Sequence, residues 1–356
     1  MPIRPFFCAR IWCTEEICLQ RQHRPFHVDE NMGSRFTPED FCAILALQAM
    51  KPSIEFNYAV REVHNMDLQF DVRDEKRIRV ILDTDAACEA DDPFAIAHAV
   101  LSPKLIVKGI VAEHFAQPGS MRRSYDAVRR LMNAMHRMEN VMYGEEYPLD
   151  REGPLSEGAA FMIEEALRED RHPLFILCLG ALSNIARALK AAPDIANKIT
   201  IVTIGGHSYD ITEAPFREFN FGNDPEAANA VLGSKAEVWQ SPSSVYGSML
   251  VGLAELQRRV MPCGEAGKYL FEQMVAYNNT DQASWTCGES WSLGDSPAVG
   301  VTLTPQCGRS HRARIKHVNP DTTYTDIPDG RFIKFFDSID ARYILEDFFS
   351  KLEAST

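Results

Sequence analysis

From residue 77 onward, short apolar runs alternate with stretches of helical period. Residues 77–82 alternate and then turn wholly apolar, which predicts a strand buried on both faces. The pattern then predicts a helix over 93–101, a strand over 105–111 and an amphipathic helix over 121–135. A short strand over 141–143, a helix over 157–168, a strand over 173–179 and a helix over 182–190 follow. Next come a strand over 199–204, a helix over 224–231 and a short strand near 237–239. Beyond residue 253 the chain reads as more helical, with a last helix over 339–352. Strands and helices joined by short links predict a doubly wound, mostly parallel α/β sheet with helices on both faces.

Residues 1–75 lack that alternation and read as a poorly ordered N-terminal extension ahead of a catalytic domain over 76–356. One short amphipathic helix is expected over 41–50. Cys13, Cys18, His23 and His27 are zinc-ligand residue types, but their spacing is not that of a common zinc module.

Composition narrows the function. The formal net charge of −13 argues against a nucleic-acid partner and favours a small neutral or cationic ligand, or a divalent cation. No apolar run is long enough for a membrane helix, and the N-terminus lacks a secretory pattern. Nine scattered cysteines, some inside apolar runs as at Cys178, read as reduced thiols of a cytoplasmic protein.

The chemistry concentrates after the first strand. Asp83, Asp85, Glu89, Asp91 and Asp92 crowd into ten residues at a strand's carboxyl end, where such sheets bind ligands. So many carboxylates repel one another unless a cation compensates, and hard Ca2+ or Mg2+ prefers oxygen ligands. Asp92 precedes Pro93 and is expected to cap the following helix. Capping explains one of these acids, not the pair on the strand end. A metal with neighbouring carboxylates suits hydrolysis through an oxocarbenium-like transition state.

The stretch Asp83-Thr-Asp-Ala-Ala-Cys-Glu-Ala-Asp-Asp92 resembles the signature of the inosine–uridine nucleoside hydrolase family, with two extra residues between Asp85 and the Asp91–Asp92 pair. The turn at 179–184, Glu218-Phe-Asn220 with Asp224-Pro-Glu-Ala-Ala228, and Gly294-Asp295-Ser-Pro-Ala-Val299 resemble three further family motifs in the same order. The resemblance spans about residues 77 to 350. It implies Ca2+-dependent hydrolysis of a ribonucleoside to free base and ribose by a homodimer or homotetramer. It further implies Asp85 as metal ligand and general base, Asp92 and Asp295 as metal ligands, and Ser183 as a ligand through its backbone carbonyl. Asp91 would take a ribose hydroxyl, Glu218 and Asn220 the 5′ side of the sugar, and Asp83 with Glu89 would support the ligands.

The family's histidine before the last aspartate, a general acid in some members, is Gly294 here. Glu289, His207 and His114 are the nearby replacements, and His114 stands where the family has a ribose-contacting asparagine. Trp291 is open between stacking on a base and core packing, and Trp285 reads as a core or interface residue. Two alternatives stay open: a hydrolase of another ribosyl compound, and a catalytically weak nucleoside- or sugar-binding protein of the same fold.

Overall fold

The computed structural model describes residues 68–356 except Thr212. Residues 1–67 of the extension, with its Cys/His set and the helix expected over 41–50, lie outside the described residues.

The main sheet is built from β1 (Ile78–Thr84), β2 (Leu105–Ala112), β3 (Val141–Tyr143), β4 (Leu174–Cys178), β5 (Ile199–Ile204) and β6 (Glu237–Ser241). Two short ribbons are formed by β7 (Leu250–Gly252) with β8 (Ser290–Ser292), and by β10 (Lys316–Val318) with β11 (Tyr324–Asp326). β9 (Gly308–Arg314) and β12 (Phe332–Ile339) extend the main sheet to eight strands in the order β3-β2-β1-β4-β5-β6-β12-β9. Only the β12–β9 pair is antiparallel within it.

The chain leaves β1 toward β2 and β3, then returns to β4 on the other side of β1 and proceeds to β5 and β6. The strand order therefore reverses between β1 and β4. A crevice opens at the carboxyl ends of two parallel strands whose connections depart in opposite directions.

Every residue of β1 is buried, as a central parallel strand covered on both faces requires. Val80 and Leu82 face a core layer shared with α1 (Asp92–Val100), while Ile81 faces the opposite layer. The helix α2 (Ser120–Ala134) packs in the layer of α1, and on the opposite side lie α3 (Glu157–Leu167) and α4 (Ser183–Ala191). The chain continues through α5 (Phe219–Asn223), α6 (Pro225–Gly233), α7 (Ser243–Tyr246), α8 (Leu253–Arg259) and α9 (Gly264–Asn278). It ends with α10 (Ser296–Leu303) and α11 (Ala341–Glu353). Packing of α10 against α1 brings a segment 200 residues downstream to the crevice.

Beyond residue 253 the structure adds the strands β8 to β12 to the expected helices. β9 carries Arg309, His311, Arg312 and Arg314, so its outer edge is charged and no apolar alternation marks it. Charged edges of this kind keep a terminal strand from pairing with other chains.

Candidate active site

The helices α1 and α10 begin alike, each with an aspartate at the N-cap and a proline in the first turn. Their parallel packing sets Asp91 and Asp92 beside Asp295. One carboxylate oxygen from each of these three buried residues lies within 4.8 Å of the others. The expected cap is corrected: the N-cap residue is Asp91, and neither carboxylate closes a capping bond. Asp92 instead accepts a short hydrogen bond from Thr84 at the end of β1. Acids that do not cap their helix leave their charge for something else.

Asp85 completes the floor. It is buried, its Oδ2 has no hydrogen-bond partner, and it packs over Gly180 just past β4. A Cβ at Gly180 would lie 2.6 Å from Asp85 Cγ, so the carboxylate occupies space that any other residue would fill. Burial first, then Asp92, Asp91 and Glu89, push the Asp85 carboxyl well above the usual range. Burial and the neighbouring carboxylates do the same to Asp91 and Asp295, and burial with Asp92 and Glu218 brings Glu89 to about 7. A set of buried hard oxygens raised by mutual repulsion, with one oxygen unpartnered, fits a divalent cation such as Ca2+ or Mg2+.

These acids floor a cavity of about 600 Å³. Glu218 and Asn220 line it as well. The Glu218 carboxylate caps α5 by accepting from the backbone N–H groups of Asn220 and Phe221. The Asn220 side chain donates to the carbonyls of Leu179 at 2.6 Å and Ile204 at 2.9 Å, bridging the ends of β4 and β5. Trp291 is buried and lines the cavity, edge-on to Tyr277. Trp285 is not a core residue: it lines the mouth at 57% exposure, with its ring centroid 5.2 Å from that of Trp291.

Two expected site residues stand outside the cavity lining. Ser183 does not line the cavity. It is the first residue of α4, and its hydroxyl donates to Asp224 at 2.6 Å. The cavity-lining residue of that turn is Leu179. His114 is fully buried behind the same turn. Its Nδ1 accepts from the Ala116 N–H, and its Nε2 lies 2.8 Å from the Ser183 hydroxyl. Burial lowers its pKa to about 4, so the ring is neutral and serves the turn, not the cavity.

Asp83 and Glu89 divide differently than expected. Asp83 points to the face of the sheet away from the acid cluster and accepts from Asn184 at 2.8 Å. Its support therefore reaches the turn after β4. Glu89 lines the cavity itself.

Tyr246 was not legible as a site residue. A Cβ at Gly294 would sit 3.3 Å from its ring and 3.2 Å from Asp91 Oδ2, so the phenol ring lies against the place a larger residue would use. Its hydroxyl donates to Glu218 at 3.2 Å. Of the three candidate proton donors, Glu289 is exposed and, like His114, outside the lining. His207 stands one residue back, bonded to the lining residues Ser243 and Phe216.

The inosine-uridine preferring nucleoside hydrolase family model matches residues 80–331. The chain is 29% identical over 230 residues to the non-specific ribonucleoside hydrolase RihC of Klebsiella pneumoniae, covering 58% of this chain and 75% of that protein. It is 28% identical over 202 residues to the pyrimidine-specific ribonucleoside hydrolase RihA of Salmonella schwarzengrund, covering 50% and 64%. Among solved structures, the plant nucleoside hydrolase PpNRh1 superposes with a TM-score of 0.65 at 18% identity, covering 78% of this chain and 99% of that one. The purine-preferring ribonucleoside hydrolase from Gardnerella vaginalis superposes with a TM-score of 0.63 at 21% identity, covering 78% and 98%. At such identities the structural likeness is one of fold.

Proposed function

Because this chain belongs to the inosine–uridine preferring nucleoside hydrolase family, and is therefore a hydrolase of N-glycosyl compounds, we propose that it splits the N-glycosidic bond of a ribonucleoside. The cation would be Ca2+, held by Asp85, Asp92 and Asp295 together with the Ser183 backbone carbonyl that the family resemblance implies; Asp92 and Asp295 already bring carboxylate oxygens together. The observation that carries the reading is the convergence of Asp91, Asp92 and Asp295 within 4.8 Å beside an unpartnered Asp85 oxygen, on the floor of a cavity that Glu218 and Asn220 also line.

When bound, the ion supplies positive charge that acidifies a water and orients ribose hydroxyls. The Asp85 carboxylate takes the proton of the attacking water, since its Oδ2 has no partner to give up. Asp91 receives a ribose hydroxyl. Glu218 and Asn220, fixed by their bonds to α5 and to the ends of β4 and β5, hold the 5′ side of the sugar. Trp291 and Trp285 form an aromatic wall for the base. The enzyme works in the cytoplasm as a homo-oligomer; among the described residues no helix is long and apolar enough to cross a membrane.

The test is release of ribose from inosine and uridine, with and without Ca2+ after EDTA treatment. Activity should vanish on chelation, return with Ca2+, and stay absent in Asp85→Ala. Full turnover in excess EDTA refutes the metal assignment.

A further inference from the structure

The proposed ribosyl hydrolysis leaves the departing base without a cationic side chain to protonate it. Breaking the C1′–N bond puts an electron pair on the base nitrogen, and the base of a neutral nucleoside then needs a proton. Among the described residues that line the cavity there is no histidine, lysine or arginine. Gly294 has no side chain, and the adjacent Tyr246 hydroxyl is spent on Glu218. The His207 ring is tied at both nitrogens, to Ser243 at 2.8 Å and to the Phe216 carbonyl at 3.0 Å.

What the cavity offers instead is negative charge and aromatic surface. Asp85, Glu89, Asp91, Asp92, Glu218 and Asp295 all face it, and a divalent ion offsets two of those six charges. Phe216, Phe219 and Trp285 line it while remaining 45%, 50% and 57% exposed at the mouth, and Trp291 lies beneath Trp285. Carboxylates attract a cation over distance, and an aromatic face holds one at contact.

We propose that this site acts preferentially on cationic N-ribosides, whose base is already a positively charged aromatic ring: N-ribosylpyridinium compounds and N7-alkylated purine ribonucleosides. The proposal rests on the ribosyl-hydrolase reading above. In the step, the water oxygen bonds to C1′ as the C1′–N bond breaks. The electron pair stays on the ring and cancels its charge, so the base departs neutral with no proton added. The water's proton passes to Asp85 and then to solvent. Cation and water thus become ribose, neutral base and one proton.

The test uses the full chain with Ca2+ and measures ribose release from nicotinamide riboside and 7-methylguanosine against guanosine, inosine and uridine. The expected kcat/KM for each cation exceeds that for every neutral nucleoside by about 100-fold or more, the scale of a missing proton donor. Trp285→Ala should raise KM for nicotinamide riboside by about tenfold, and Trp285→Phe, which keeps an aromatic face, should return it to within about threefold of the unaltered protein. A neutral nucleoside turned over within about tenfold of both cations, or an unchanged KM for nicotinamide riboside in Trp285→Ala, overturns this inference and leaves the ribosyl-hydrolase reading standing. No ribose from any of the five overturns both.

Discussion

Gly180→Ala tests the arrangement of the floor with one methyl group. The added Cβ would lie 2.6 Å from Asp85 Cγ, 2.7 Å from Oδ1 and 3.0 Å from Cβ, where ordinary contact begins near 3.4 Å. The Gly180 backbone is not left-handed, so alanine adds no φ strain there. Asp85 cannot yield through its main chain: it follows β1, whose end is paired on both sides, and its carbonyl accepts from the Cys88 N–H at 2.6 Å. The carboxylate must therefore swing aside by ~1 Å to regain contact distance. A displacement of that size at a reacting group costs about 100-fold in rate, which is about 2.7 kcal/mol of barrier. The assay is kcat/KM for ribose release at saturating Ca2+, beside a calorimetric Ca2+ affinity and a melting temperature. A fall of about 100-fold in rate with the fold retained is expected. Turnover within about threefold of the unaltered protein would show that Asp85 is not the base whose position limits the step.

Two further outcomes follow from the neighbours. Thr84→Val keeps the shape at the end of β1 but removes the hydroxyl that donates to Asp92. It should weaken Ca2+ binding by about 10- to 100-fold in calorimetry, and an unchanged affinity would remove Asp92 from the ligand set. His114 gives a pH signature in stability: its folded value is about 4, with burial lowering it and Asp224 opposing, against an ordinary value of 6.5. Between these values the unfolded chain holds a proton that the folded chain lacks, so this group's contribution to stability falls as pH drops from 6.5 toward 4 and is complete above 6.5. In urea denaturation at pH 7, 6 and 5, His114→Gln should therefore be flatter than the unaltered protein by up to about 1.4 kcal/mol per pH unit, and parallel curves would refute the assignment.

The strand ends were legible because their signal is local. A wholly apolar run followed by clustered carboxylates marks β1 and its loop without any knowledge of the partners. Asp295 was legible only by resemblance, since its place beside Asp91 comes from α10 packing on α1 across 200 residues. The charged edge strand β9 was illegible because one face meets solvent and only one side is paired. Ser183 stands outside the cavity lining for a finer reason. Residues 179–184 contain both the end of a strand's reach and the first turn of α4, and apolar period does not say where one becomes the other. Four residues decide whether a residue lines the cavity, as Leu179 does, or starts the helix, as Ser183 does. Tyr246 marks the same limit from the other side. Gly294 announces a missing side chain in the sequence, but only packing reveals that a residue 48 positions earlier lies against the gap. The acidic half of the site is written where the chain is locally crowded with charge. The base half depends on which distant aromatic residues meet, and that is why substrate preference had to be argued from the assembled cavity.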